Sequence, residues 1–225
     1  MQAGDSDPVA FALERGAGPR TWRAGTIIWS GGMATRRRLG TESSATRAAL
    51  LDAVEAVMRE DGYGALTARR VAERADLKHQ LVYYYFQTLD DLLVATYERH
   101  IARYLSRIEQ ALGSDRPLHA FWQVHANPVD ATLNMEFLSL ANHNEAIRQR
   151  TIAFGEHVRR LGLDRLEAMI RRPAPGMEAV TPFAVTMVIS ALGSVLGLET
   201  AIGIGGGHAE TRAMIEWCID QLEPG

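Results

Sequence analysis

The segment from Thr67 to Leu93 constrains the fold more than any other part of this 225-residue chain. Val71, Ala72 and Ala75 recur at positions i, i+1 and i+4, which gives a short helix one apolar face. Thr67 stands where that helix begins, and its hydroxyl can accept a backbone N–H that the first turn leaves unpaired. The spacing therefore predicts a short helix that begins after Thr67 and ends at a tight turn.

A second short helix is predicted after a turn at residues 76–77, and it opens with the polar run Lys78-His79-Gln80. Val82, Tyr83 and Phe86 then recur at i, i+1 and i+4 and are expected to anchor one side of this helix. A helix that is packed on one side and has basic and amide groups free at its N-terminus suits insertion into the major groove of DNA.

Several anchors keep their spacing together along this region. The pattern is Thr67-x-x-x-Val71-Ala72-x-x-Ala75-x-Leu77, then Val82-Tyr83-x-Tyr85-Phe86, then Asp90-Asp91-Leu92-Leu93. Over about fifty residues, Ser43 to Leu93, it resembles the DNA-binding domain of TetR-family transcriptional regulators. The resemblance implies an all-α fold, with an N-terminal three-helix helix-turn-helix domain and a larger C-terminal helical domain for ligand binding and dimerisation.

The chain departs from the family pattern at two positions. The turn usually carries glycine where this chain has Asp76, a residue that tolerates the left-handed conformation better than most. The family often has lysine just before the fourth helix, where it reaches a phosphate, and this chain has Leu89 there. One backbone contact that the family makes is therefore not expected here.

The expected DNA contacts follow from the resemblance and from the polarity of the second helix. Lysine suits the guanine acceptors, glutamine can pair twice with adenine, and groove-inserted helices contact base edges with their N-terminal residues. The predicted DNA-binding residues are Arg36, Arg37, Arg38, Thr67, Arg69, Lys78, His79, Gln80, Tyr83 and Tyr84. The run at 78–80 is expected to read bases, whereas Thr67, Tyr83 and Tyr84 contact phosphates; Tyr83 as a core residue is the alternative.

Charge gives only local support for DNA binding. The net charge is −3, so no global attraction to nucleic acid is expected. Residues 33–95 carry nine basic and nine acidic side chains, so a positive face requires local clusters such as Arg36–Arg38 and Arg69-Arg70. Arg36–Arg38 precede the first helix and are interpreted as an arm that contacts phosphates, with a solvated tail as the alternative.

The pattern along the chain predicts three parts. Residues 1–40 have scattered Gly and Pro and no sustained period, and are expected to be a disordered extension or to follow a wrongly assigned start codon, with the basic arm at 36–38. They lack the basic start and apolar core of a signal peptide. Residues 41–93 form the helix-turn-helix domain, and residues 94–225 form an effector-binding and dimerisation domain.

Helix signals follow one another without a convincing strand. The expected helices lie near 43–61, 89–112, 118–126, 128–142, 145–171, 182–202 and 209–222, besides the two short ones already described. Gly62 is expected to end the first helix, and Leu66 to plug the small core. Pro117 and Pro128 each suit the first position of a helix.

Residues 179–198 carry no charge over twenty positions, which meets the length criterion for a membrane span. The segment also holds several small and hydroxylated residues and lacks a clear basic flank. A stripe of small residues on one helical face favours close pairing of two helices in a homodimer, with a membrane span as the alternative. The predicted dimer interface comprises Ser190, Gly193, Ser194, Gly197, Ala201, Met214, Trp217 and Cys218.

The middle helices are where TetR-type proteins enclose a small-molecule effector. A pocket of this kind needs apolar bulk with a few polar groups. The candidate lining residues are Trp122, His125, Asn134, Phe137, Leu138, His143, Phe154, His157 and Met187. For each of them, an ordinary core or surface position is the alternative.

Other chemistry finds little support in the sequence. The seven histidines make no H-E-x-x-H motif, and with Cys218 as the only cysteine a Cys-rich zinc site is excluded, so no metal or cofactor is expected. A single cysteine also fits a reducing cytoplasm. The Gly-rich run GIGGG lacks the Lys-Ser/Thr of a phosphate loop and is expected to end a helix.

The sequence therefore predicts a cytoplasmic, homodimeric regulator that binds double-stranded operator DNA and responds to a small-molecule effector, most simply as a repressor. It is not expected to be an enzyme or to bind a membrane. Two alternatives remain at this stage: a small-molecule-binding or catalytic helical protein that uses the helix-turn-helix only as scaffold, and a transcriptional activator.

Overall fold

A computed structural model describes residues 41–169 and 180–223, all of which lie in one compact unit spanning Leu39–Gly225. Over these residues the protein is helical and contains no strand, which confirms the all-α prediction. The helices are α1 Thr41–Asp61, α2 Ala68–Arg74, α3 Gln80–Tyr85, α4 Leu89–Leu112, α5 Pro117–His125, α6 Ala131–Leu140, α7 Glu145–Met169, α8 Pro182–Ala201 and α9 His208–Leu222. Single 3-10 turns lie at Tyr63–Ala65 and Pro128–Asp130.

Threonine caps fix where three of the helices begin. Thr67 accepts a hydrogen bond from the backbone N–H of Arg70 at 3.1 Å, as the sequence predicts. Thr88 makes a reciprocal capping box with Asp91, and Thr181 caps α8. Each cap satisfies an N–H that the first helical turn cannot pair, so these helix starts are encoded locally.

The turn between α2 and α3 shows how the chain does without the family's glycine. Asp76 has a φ of 54° and is the one described non-glycine residue with positive φ. The expectation that aspartate adopts the left-handed conformation is thus confirmed. One detail of the prediction is wrong: α3 begins at Gln80, so Lys78 and His79 precede the helix and do not form its first turn.

A first hydrophobic cluster, here the head core, joins α1, α2, α3 and the start of α4 to α6 and the start of α7. Its buried residues are Leu50, Leu51, Ala53, Val54, Val57, Met58, Leu66, Val71, Ala72, Val82, Phe86, Leu92, Leu93, Tyr97, Ile101, Leu133, Phe137, Leu140, Ala141 and Ile147. Leu66 is buried as predicted. The three N-terminal helices therefore share their core with α6, a helix that begins more than forty residues after α3 ends.

A second hydrophobic cluster, here the bundle core, lies among the end of α4 and helices α5, α7, α8 and α9. Its buried residues are Tyr104, Leu105, Ile108, Leu112, Leu118, Phe121, Trp122, Ala126, Val158, Ile189, Leu196, Ile215 and Ile219. Helices α4 and α7 each contribute to both clusters, α4 with residues from Leu92 to Leu112 and α7 with Ile147 and Val158. Helix α4 has 24 residues and follows the helix-turn-helix directly in the chain.

Helix α8 is the one described helix that is long and apolar enough to cross a membrane by length and composition. Several of its residues, including Ile189, Gly193 and Leu196, are instead buried against other helices of the same chain. A helix that contributes to the core of a soluble protein passes the same test. Its composition therefore does not indicate membrane insertion.

Candidate DNA-binding surface and effector region

The residues around the start of α3 form a polar, exposed surface. Lys78, His79 and Gln80 are exposed, and within the described part of the chain none of their side chains makes a hydrogen bond or ion pair. Tyr83 and Tyr84 follow on α3 with 54% and 61% of their surface exposed. Tyr83 is therefore not a core residue, and its predicted anchoring role is wrong. The five side chains are free to contact a partner molecule.

The opposite side of the helix-turn-helix is fixed by packing. Val71 and Val82 are fully buried, and Phe86 is 5% exposed. The Arg47 guanidinium of α1 lies 5.1 Å from the centroid of the Phe86 ring, a cation–π distance. Burial lowers the pKa of Arg47 from its usual value, and the nearby Glu98 partly offsets that effect. These contacts hold α3 on α1 and leave its outer surface open.

Most of the head's arginines are already paired with carboxylates. Arg69 donates to Glu73 at 2.8 Å, Arg70 to Asp61 at 2.7 Å, and Arg74 pairs with Glu60. The Arg69 side chain is 86% exposed, so its pair is weak and a phosphate can compete for it. Thr67 keeps its hydroxyl at the start of α2 as a cap. The positive cluster expected at 69–70 is thus largely neutralised within the protein.

The charge of the head is negative without the basic arm. Residues 41–93 contain six basic and nine acidic side chains, so their formal net charge is 6 − 9 = −3. The predicted arm Arg36–Arg38 and the predicted extension 1–40 lie outside the described residues. Because α1–α3 cannot attract DNA by net charge alone, any phosphate attraction must come from locally exposed cations such as Lys78.

A buried carboxylate joins the head to α4. Glu55 of α1 is 4% exposed and accepts hydrogen bonds from Arg59 and Arg99, and it also pairs with Arg103 one helical turn further along α4. Burial alone would raise the pKa of Glu55, but these guanidinium groups together lower it below its usual value. The orientation of α1 on α4 is therefore fixed by charge as well as by packing.

Helix α6 is tied to α4 at three successive levels. Near its start Asp130 pairs with Arg107, and the imidazole Nε2 of His100 donates to the Asn134 side-chain oxygen at 2.5 Å. Phe137 then packs against Tyr97, with ring centroids 4.6 Å apart. Burial lowers the pKa of His100, which keeps the imidazole neutral in this contact. A displacement of α6 therefore acts directly on α4.

The bundle core contains a buried hydrogen-bonded chain of neutral groups. Tyr104 and His125 Nδ1 lie 2.9 Å apart, His125 Nε2 lies 3.4 Å from the Ser190 hydroxyl, and Ser190 donates to the Thr186 carbonyl at 2.7 Å. Burial lowers the pKa of His125 to about 4, so its imidazole is neutral near pH 7. The indole N–H of Trp122 is also buried and has no partner in the structure. The bundle core thus offers an unused donor beside a chain of neutral groups.

The nine predicted effector residues lie in different surroundings. Trp122, His125 and Phe154 lie in or against the bundle core, and His157 is half-buried on α7. Phe137 belongs to the head core, and Asn134 is occupied by His100. They therefore divide between two clusters.

The remaining effector candidates are at the surface. Leu138 and Met187 are 55% and 36% exposed. His143 is exposed and lines a surface groove of about 320 Å³ together with Tyr63, Asp90, Glu136, Ser139, Leu140 and Asn144. Sequence reasoning missed Tyr104, Ser190 and Thr186 as polar groups of the bundle core, because their convergence depends on contacts between helices far apart in sequence.

The predicted dimer residues divide into two groups. A Cβ added at Gly193 would lie 2.7 Å from the His125 Cβ, and one at Gly197 would lie 3.4 Å from the Asn127 carbonyl oxygen. These glycines therefore let α8 approach α5 of the same chain, and their predicted place in the subunit contact is wrong. Ser190 also faces inward, toward His125.

The other predicted interface residues are available to a partner. Ser194, Ala201, Met214 and Trp217 are exposed, Trp217 by 63%, and Cys218 is partly exposed. The sequence reasoning missed further exposed apolar side chains on the same two helices or just after them: Phe183, Val188, Val195, Ile202 and Ile204. Large apolar groups that recur at the surface of two helices mark an unfilled contact surface.

Among residues 41–169 and 180–223 there is no group of three or more His, Cys, Asp or Glu side chains that could hold a metal ion. The polar cluster at His119 and Glu223 stabilises the start of α5. His119 Nδ1 lies 3.0 Å from Glu223, whose carboxylate also accepts the backbone N–H groups of Leu118 and His119 at the start of α5. Glu223 therefore acts as a cap for that helix.

Comparison with known proteins agrees with this geometry. Residues 50–96 match the family model described as bacterial regulatory proteins, tetR family. A TetR transcription regulator from Haloarcula marismortui ATCC 43049 is 22% identical with a TM-score of 0.64, and the match covers 79% of this chain and 98% of that one. No curated protein matches the chain.

Two other solved structures have the same fold. A protein assigned as a transcriptional regulator from Pseudomonas aeruginosa PAO1 is 21% identical with a TM-score of 0.65, over 84% of this chain and 94% of that one. One from Saccharomonospora viridis, solved in complex with choline, is 15% identical with a TM-score of 0.65, over 79% of this chain and 96% of that one. Residues 50–96 therefore match the helix-turn-helix of tetR-family regulators, and the chain has the fold of these solved structures.

Proposed function

We propose that this regulator is a homodimeric repressor that binds double-stranded operator DNA through α2 and α3 and releases it when a small molecule binds. The observation that carries the proposal is the exposed and unpaired run Lys78-His79-Gln80 at the start of α3. A protein that used the helix-turn-helix only as scaffold would have no need of free basic and amide groups at this place.

DNA contacts divide by chemistry between bases and phosphates. Lys78 and Gln80 carry the donors that suit guanine and adenine edges, and His79 lies between them. The exposed residues Thr67, Arg69, Tyr83 and Tyr84 are assigned to phosphates. We further propose that Arg36–Arg38 form an arm on the DNA backbone, because the head alone has a net charge of −3 and needs added positive charge.

Dimerisation is assigned to the exposed apolar side chains of α8 and α9. Trp217, Met214 and Val195 are each close to half exposed or more, which is costly for an isolated protomer in water. A two-fold contact through this surface brings two copies of α3 to matched half-sites, about 34–36 Å or a multiple apart. Residues 94–225 are accordingly the dimerisation and effector-binding part of a cytoplasmic protein.

The effector is assigned to the bundle core, beside the unpartnered indole N–H of Trp122 and the chain Tyr104–His125–Ser190. Helix α4 leads from this core into the head, so a ligand that shifts α4 moves α3. The effector need only bind the form that does not bind DNA more tightly, and a coupling of about 1–3 kcal/mol lowers operator affinity 5- to 150-fold.

In vitro selection of random duplexes by the full-length protein tests the DNA-binding surface. The selected sequence is then compared for wild type, Gln80→Ala and Gln123→Ala, the last being an exposed glutamine on α5. Gln80→Ala should relax specificity at one base pair by about 1–3 kcal/mol, because one pair of base contacts is lost.

The control Gln123→Ala should bind as wild type does. Equal discrimination by all three proteins would place base reading elsewhere. If the wild-type protein enriched no sequence, the scaffold alternative would gain support. Transcription from a promoter that contains the selected sequence then separates repressor from activator.

A further inference from the structure

The 3-10 turn at Tyr63–Ala65, which precedes α2, is capped by a side chain from a distant helix. Its N-cap residue, Gly62, has a φ of 76° and no side chain to offer. The Glu136 carboxylate of α6 accepts the Tyr63 N–H at 3.0 Å through Oε2, and its Oε1 lies 3.9 Å from the place of a Gly62 Cβ. Glu136 therefore satisfies an N–H that a turn of this kind leaves without an intrahelical partner.

This turn sets the entry of the chain into the helix-turn-helix. The Leu66 N–H closes the turn on the Tyr63 carbonyl at 2.9 Å, and the Leu66 side chain is buried in the head core. Thr67 follows directly as the cap of α2. The position of the Tyr63 peptide thus fixes the start of α2, and with it α3 and its base-reading run.

Glu136 lies on α6, and side chains of α6 hold this helix against α4. Asn134, two residues earlier, is bonded to His100 of α4, and Phe137 packs on Tyr97. Leu140 of α6 reaches into the head core from one turn later. Any displacement of α6 relative to the head must therefore either carry the Tyr63 turn with it or break the hydrogen bond to Glu136.

We propose that Glu136 is a positioning residue for DNA binding. By capping the Tyr63 turn from α6, it fixes the orientation of α2 and α3 on the rest of the protein, here called the body (residues 94–223). This inference rests on the proposed function, because the orientation of α3 matters only if α3 binds DNA. It adds a hydrogen bond to the packing of α6 in the head core, separate from the continuous helix α4.

Hydrogen exchange of the full-length protein tests the contact without any DNA. Glu136→Ala removes the acceptor, whereas Glu136→Gln keeps a carbonyl oxygen that can accept the Tyr63 N–H. Glu156→Ala is the control, since Glu156 is an exposed carboxylate that pairs with Arg159 of its own helix. Exchange at Tyr63 should rise roughly 2- to 10-fold in Glu136→Ala and stay close to wild type in the other two variants.

A change in half-site spacing tests the positioning role. The selected duplex is compared with one in which the half-sites are one base pair further apart. Wild type, Glu136→Gln and Glu156→Ala should lose affinity for the longer duplex, because the two heads are held at a fixed separation. Glu136→Ala should discriminate roughly 2- to 10-fold less between the duplexes.

The outcomes separate the contact from the function. Unchanged exchange at Tyr63 in Glu136→Ala overturns the cap and with it the positioning role. Faster exchange with unaltered spacing discrimination leaves Glu136 as a structural cap only and overturns the proposal. A wild-type protein that selects no duplex overturns the proposed function and the positioning role together, and the exchange result still decides whether the cap exists.

Discussion

The head core and the bundle core differ in what they leave at the surface. The head buries its apolar side chains and pairs most of its arginines, and its open surface is polar: Lys78, His79, Gln80 and two tyrosines. The bundle buries a neutral polar chain with an unpartnered indole N–H and exposes large apolar groups such as Trp217. The polar surface of the head suits a charged, hydrated partner. The exposed apolar groups of the bundle suit a second protein, and its buried neutral chain suits an uncharged ligand.

The largest expected effect tests whether the two cores unfold together. Phe137→Ala should lower the free energy of unfolding by about 3–5 kcal/mol, because Phe137 is 1% exposed in the head core. Thermal or chemical denaturation measures this change. Leu138→Ala, at the exposed neighbouring position, should change it by about 0.5 kcal/mol or less.

Because Phe137 lies on α6 and its partner Tyr97 on α4, we expect the head to lose structure together with the body. A Phe137→Ala protein whose head melts in a separate transition, while the body keeps its wild-type stability, would contradict the shared core.

Acid should lower the free energy of unfolding, because His125 in the bundle core stays neutral in the folded protein. Burial lowers its pKa to about 4, against about 6.5 in an unfolded chain. Between these values the unfolded chain binds a proton that the folded protein does not, so the free energy of unfolding should fall by about 3 kcal/mol as the pH falls from about 6.5 to 4. Burial lowers the pKa of His100 as well, which adds to the loss in the same direction.

The measurement is denaturant unfolding as a function of pH. His125→Gln should flatten the dependence over this range, because glutamine does not titrate, whereas His143→Gln at the surface should preserve it. A pH profile that His125→Gln leaves unaltered would assign the acid sensitivity to other groups.

The smallest expected effect separates packing within the protomer from packing between protomers. Gly193→Ala should destabilise the protein by about 1–3 kcal/mol, because its Cβ would stand 2.7 Å from that of His125. Ser194→Ala, at the next and exposed position, should change stability by about 0.5 kcal/mol or less.

Sedimentation should find the oligomeric state of Gly193→Ala unchanged at concentrations where the protein is folded. A Gly193→Ala protein that is fully stable but monomeric would show that this glycine lies in the subunit contact.

Features encoded over a few residues could be predicted from the sequence. Thr67 as a cap, Asp76 in the left-handed turn and the bounds of α4 depend on neighbours within one or two turns, and all three are as predicted. The family pattern has the same local character, which is why the helix-turn-helix is readable without a structure.

Features that depend on the approach of distant helices could not be predicted. The stripe of small residues on α8 correctly indicates close helix packing, but its period does not say which helix approaches, and that helix is α5. Glu136 looks like an ordinary solvent-facing acid on an amphipathic helix, and nothing near it in sequence points to Tyr63. The effector candidates divide between two cores for the same reason.

The cap that Glu223 provides for α5 has a consequence for how the protein is made. On the ribosome, the backbone N–H of Leu118 emerges well before its acceptor, which lies 105 residues further along the chain. Helix α5, which packs against α4, α8 and α9, therefore does not gain this cap until synthesis has passed α9. The bundle core is closed late during translation, at a time when the head, apart from α6 and α7, has long been available to fold.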